Sequence, residues 1–123
     1  MSGEQAVEAD VLRELRDALR RFAAERDWDQ FHSPKNLAIA LSVEAGELLE
    51  RFQWLTEPES QRLSAAARAR VEQELADVLL YLIRLADKLD VDLAAAAREK
   101  MKINAEKYPV EKARGKSKKY TEL

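Results

Sequence analysis

At 123 residues the chain suits one compact domain, and 46% hydrophobic with 36% charged residues and only three Gly and three Pro fit amphipathic helices rather than extended disorder. The absence of Cys excludes disulfides, thiolate nucleophiles and thiolate zinc sites, and a single His excludes a histidine-rich metal centre, which leaves carboxylates as metal ligands. No apolar run approaches the roughly 18 residues of a membrane span, the acidic N-terminus lacks a signal-peptide layout, and a formal net charge of −2 argues against polymeric nucleic acid, so a cytoplasmic protein without membrane partners is expected.

Val7, Val11, Leu12, Leu15, Ala18, Leu19 and Phe22 recur at three- and four-residue steps and predict a first helix ending near Arg26. The aromatics of Asp27–Pro34 have no helical period, while Ser33 and Pro34 read as N-cap and first helical position. A second helix is expected from there to about Trp54. Thr56–Ser60 breaks the pattern around Pro58, and a third helix is expected from near Ser64 to about Leu89. Leu75, Val78, Leu79, Leu80, Leu82, Ile83 and Leu85 cover more of its circumference than one core requires, which suggests burial against several helices, a second subunit among them. Asp90 and Asp92 can cap a fourth helix that Pro109 stops after Tyr108. Four helices on short links predict an all-α four-helix bundle over residues 1–110, with an irregular basic tail over 111–123 carrying Lys112, Arg114, Lys116, Lys118 and Lys119.

Two acidic pairs stand out. Glu44 and Glu47 form an ExxE pair in the second predicted helix, and Glu74 and Asp77 an ExxD pair in the third; spacing by three puts each pair on one face. At about 100° per residue, Glu44 falls in the middle of the stripe made by Leu37, Ala40, Leu41 and Leu48, so its carboxylate faces the interior, whereas Glu50 projects to the opposite side. Clustered anions in a low-dielectric site resist ionisation unless a cation offsets them, and Mg2+, a hard ion that joins carboxylates to phosphates, suits that need. A lone ExxE is common on any Glu-rich helix. Two pairs on successive helices, one within an apolar stripe, favour a metal site over ordinary surface acids.

Further along, Lys100, Asn104 and Tyr108 repeat every four residues on the fourth helix, so a cation and hydrogen-bonding groups share one strip suited to a triphosphate. Trp28, Phe31, His32 and Asn36 offer stacking faces and polar edges for a nucleobase. Taken singly, each has a plainer reading: a loop anchor, a satisfied histidine, a surface lysine, a helix-end asparagine or a tyrosine closing the core.

The ordered string Glu44-x-x-Glu47 then Glu74-x-x-Asp77 resembles the magnesium-binding signature of the all-α nucleoside triphosphate pyrophosphohydrolases, the MazG and dimeric dUTPase superfamily. Asp27–Leu37, Gly46–Leu48, Phe52–Trp54, Asp77–Leu82 and Lys118–Leu123 further resemble its dCTP pyrophosphatase branch. The resemblance implies Mg2+-dependent hydrolysis of dCTP, modified forms included, to the monophosphate and pyrophosphate, with Glu44, Glu47, Glu74 and Asp77 as metal ligands and catalytic acids. It also implies substrate-binding roles for Trp28, His32, Asn36, Trp54, Tyr81, Lys100, Asn104 and Tyr108, and a homotetramer.

Two rivals remain at this level. The same chemistry could serve dUTP or a damaged nucleotide, because the acids grip metal and phosphate whatever the base. A non-catalytic assembly module would explain Leu79, Leu80 and Ile83 but not Glu44. A di-iron bundle would need Glu-x-x-His motifs, and Gly115-Lys116-Ser117 lacks the upstream glycine of a phosphate-binding loop.

Overall fold

The computed structural model describes residues 3–123 except for the side chains of residues 4–10, so Val7 of the first predicted stripe lies outside the described residues. Among the described residues every regular element is helical. Four long helices, α1 (Gly3–Glu25), α2 (Pro34–Glu50), α4 (Ala65–Lys88) and α5 (Leu93–Lys107), are joined by links that hold two short ones, α3 (Glu57–Ser60) and α6 (Val110–Ala113).

Local chemistry sets the starts. Ser33, Thr56, Ser64 and Asp92 each accept the backbone N–H three residues on, and Pro34 occupies the first turn of α2, where its missing N–H costs nothing. The ends of α1 and α4 share one device. Asp27 and Asp90 adopt left-handed φ values of 53° and 54°, and the next residues reach back across the last turn, Trp28 N–H to the Ala23 carbonyl at 2.9 Å and Val91 N–H to the Ala86 carbonyl at 2.8 Å. This closure normally recruits Gly; Asp is among the few side chains that tolerate the conformation.

Two expectations change in detail. The second helix ends at Glu50 rather than near Trp54, because the chain tightens into turns in which Arg51 and Phe52 donate to carbonyls three residues back. The predicted break around Pro58 holds the short helix α3, with Pro58 in its first turn and Thr56 and Glu59 exchanging side-chain and backbone hydrogen bonds in a capping box.

The chain divides into two compact units, one running to Val91 and one from Asp92 to Leu123. In the first, α4 is the central element, meeting α2 most extensively and α1 as well. Among its described residues the buried apolar ones are Ala23, Leu37, Val71, Ile83 and Ala86. In the second, the region after Pro109 is more ordered than an irregular tail: besides α6, a 3-10 turn spans Tyr120–Glu122, where the Tyr120 ring meets Tyr108 edge-on at 6.1 Å and takes the Lys107 ammonium over its face at 4.8 Å.

Candidate metal and nucleotide site

The packing of α2 on α4 brings acids from both helices to one point. Glu44, Glu74 and Asp77 each offer a carboxylate oxygen, and the three oxygens lie within 4.8 Å of one another. Glu44 sits two turns after the fully buried Leu37, and Glu74 one turn after the buried Val71, so the apolar anchors of each helix carry the acids inward.

The electrostatics are unfavourable for bare carboxylates. Glu44 is pushed up to about 7, first by burial, then by a hydrogen bond to Glu47 and by the charges of Glu47, Asp77 and Glu74. One oxygen of Glu74 accepts from the Arg51 guanidinium at 3.3 Å. Its other oxygen, and Oε2 of Glu44, are buried and have no hydrogen-bond partner. A buried polar atom left bare costs about 1–3 kcal/mol, and more when charged. Oxygen-only ligands with two bare buried atoms fit a hard divalent cation, which needs such oxygens and no thiolate or imidazole.

One stripe of α4 extends this site. Glu74, Asp77, Tyr81, Arg84 and Lys88 follow each other at three- and four-residue steps and so share a face. At its far end stands an ion network. Arg84, 5% exposed, donates from Nε to His32 Nδ1 at 3.1 Å and from its other nitrogens to Asp29 and Asp87. Lys88 adds a 2.6 Å bond to Asp29, and Arg20 of α1 grips both oxygens of Asp87. The connector between α1 and α2 is thereby fastened to α4. His32 is held below its ordinary value by burial and then by the Arg84 charge, against the opposing pull of Asp29.

The other residues singled out in the sequence fall as follows. Trp28 is half exposed and meets Phe22 edge-on at 5.7 Å. Asn36 donates to the Phe31 carbonyl at 3.0 Å, which holds its amide against the same connector as His32. Tyr81 lies one turn beyond Asp77, and Trp54, 87% exposed, stands on the turns after α2. Lys100, Asn104 and Tyr108 belong to the second unit; there Lys100 and Asn104 are exposed, and the Tyr108 N–H donates to the Asn104 carbonyl at 2.9 Å. Sequence reasoning did not single out Arg51 or the Arg84–His32 bond. For Arg84 a signal existed, its seven-residue spacing from Asp77; for Arg51, outside the regular part of α2, there was none.

The chain is similar to known proteins over most of its length. The profile of the MazG-like family matches residues 39–123. The human dCTP pyrophosphatase 1 is 52% identical over 115 residues, covering 92% of this chain and 68% of that protein, and the mouse dCTP pyrophosphatase 1 is 49% identical over the same shares. A crystal structure of a pyrophosphatase from Archaeoglobus fulgidus superposes with a TM-score of 0.75 at 43% identity, covering 79% of this chain and 91% of that one.

Proposed function

The chain belongs to the MazG-like family, and from that premise we propose that it is a pyrophosphohydrolase that splits dCTP, modified forms included, to dCMP and pyrophosphate. The observation that carries the reading is the convergence of Glu44, Glu74 and Asp77 with two bare, buried oxygens among them. Glu44, Glu47, Glu74 and Asp77 are the residues that would hold the cation, Mg2+ in this proposal. When bound, it supplies positive charge that offsets the acids and draws in triphosphate oxygens.

The remaining roles fall to the chain's own groups. A carboxylate of the cluster accepts the proton of the water that breaks the anhydride bond between the α- and β-phosphates. Arg51, on one oxygen of Glu74, restricts how that carboxylate turns. Trp28, His32, Asn36, Trp54 and Tyr81 are assigned to the nucleoside, and Lys100, Asn104 and Tyr108 to the phosphates. These assignments rest on side-chain chemistry: aromatic faces stack bases, and cations and amides bind phosphate oxygens. The test is to incubate the protein with a panel of deoxynucleotides and nucleotides plus Mg2+ and to separate the products. Pyrophosphate released chiefly from dCTP is expected; preference for dUTP would move the assignment to another base, and no release from any nucleotide would overturn it.

The proposal includes assembly into a homotetramer and residence in the cytoplasm, where nucleotide pools are policed. Among the described residues no helix is long and apolar enough to cross a membrane. Assembly is supported by Leu75, Leu79 and Leu82, which line one stripe of α4 yet are 52%, 40% and 37% exposed, and by Ile39 and Val43 on α2, which are about as open. Light scattering is expected to give four chains of 14.0 kDa in wild type and a smaller particle for Leu79→Glu. A wild-type particle of one chain would contradict the assembly.

A further inference from the structure

We propose that Arg84 fixes His32 as an imidazole protonated on Nε2, so that the nitrogen left for the nucleotide can only donate a hydrogen bond. The inference rests on the nucleotide reading above, and it adds a positioning residue and a selection rule for the ligand: a hydrogen-bond acceptor on the base edge.

A guanidinium has five N–H donors and no acceptor, and it does not lose its proton in proteins. The imidazole nitrogen that faces Arg84 Nε at 3.1 Å must therefore offer a lone pair, which leaves the proton of the neutral ring on the other nitrogen. The arginine has no freedom to turn away. It is almost fully buried and is also held by Asp29 and Asp87, the latter clamped in turn by Arg20. Burial first, then the positive charges of Arg84 and Lys88 on α4, favour the neutral ring, while Asp29 on the connector pulls the other way.

Position makes the donor useful. Arg84 follows Asp77 by seven residues, two helical turns, so it lies on the same face of α4 about 10 Å along the axis at about 1.5 Å per residue. That separation is on the scale of a nucleotide stretched between its triphosphate and its base, with Tyr81 between the two ends. Arg84 itself touches no ligand in this scheme; it acts through His32.

His32 is the only histidine in the chain, so a protein labelled with nitrogen-15 histidine gives the spectrum of one imidazole. In the ligand-free wild type that spectrum is expected to show Nε2 protonated and Nδ1 bare at neutral pH. Arg84→Met should give a mixed or protonated ring and should raise KM for dCTP about 3- to 10-fold, as expected for one hydrogen bond, with kcat nearly unchanged. Arg84→Lys, which keeps a donor, should restore the single tautomer and most of the KM. A wild-type ring protonated on Nδ1 overturns the inference, and that result is readable even if Arg84→Met fails to fold. An unchanged KM in a folded Arg84→Met protein also overturns it and leaves the pyrophosphohydrolase reading intact. Failure of that reading would show separately, as a wild type that hydrolyses no nucleotide.

Discussion

Asp77→Ala is expected to lower kcat by about a thousandfold or more, while the metal-free variant melts at a higher temperature than wild type. Both effects have one cause. The Asp77 oxygen lies within 4.8 Å of oxygens from Glu44 and Glu74, and its charge helps push Glu44 upward. Removing it relieves repulsion in the empty site and deletes a ligand from the filled one. A purely structural role would give the reverse pattern, a lower melting temperature with activity kept in the surviving folded fraction. Activity assays beside melting curves without and with Mg2+ separate the two, since a cation that binds only the folded state raises wild-type stability by mass action.

The second large effect is on pH. Burial and the neighbouring acids push Glu44 from an ordinary 4.5 up to about 7 in the folded, metal-free protein. Because its folded value is raised, the neutral carboxyl is favoured by folding below about 4.5, and this contribution is lost as pH rises from there through about 7. The metal-free protein should therefore lose stability across that window. Cation binding must displace the same proton, so Mg2+ affinity should rise up to about tenfold per pH unit below 7 and level off above it. Calorimetric titrations in buffers of different ionisation enthalpy would count the proton, with release expected at pH 6 and little at pH 8.5. Glu44→Gln should flatten both curves. An affinity independent of pH in wild type would contradict the ligand role of Glu44.

Much of this arrangement was legible because its signals are local. Ser33-Pro34, Ser64 and Asp92 mark helix starts through their own side chains, and Glu44 declared itself by breaking an apolar stripe whose period is fixed by helix geometry. The short helix at Glu57–Ser60 carried a signal too, since Thr56 and Glu59 have capping-box spacing, but the rule that proline breaks helices outweighed it; in a first turn Pro58 loses no bond. Other features depend on partners far apart in sequence. The Arg84–His32 bond joins residues 52 positions apart, and no periodicity encodes it. The order in the basic C-terminal stretch comes from Tyr120 finding Tyr108, a pairing invisible in a composition dominated by lysine.

Crystals grown with Mn2+ in place of Mg2+ and a non-hydrolysable dCTP analogue would locate the cation through its anomalous scattering. A peak bounded by carboxylate oxygens of Glu44, Glu74 and Asp77 that also touches the analogue's phosphates is expected. A peak on other residues, with those three carboxylates making no metal contact, would contradict the proposed site.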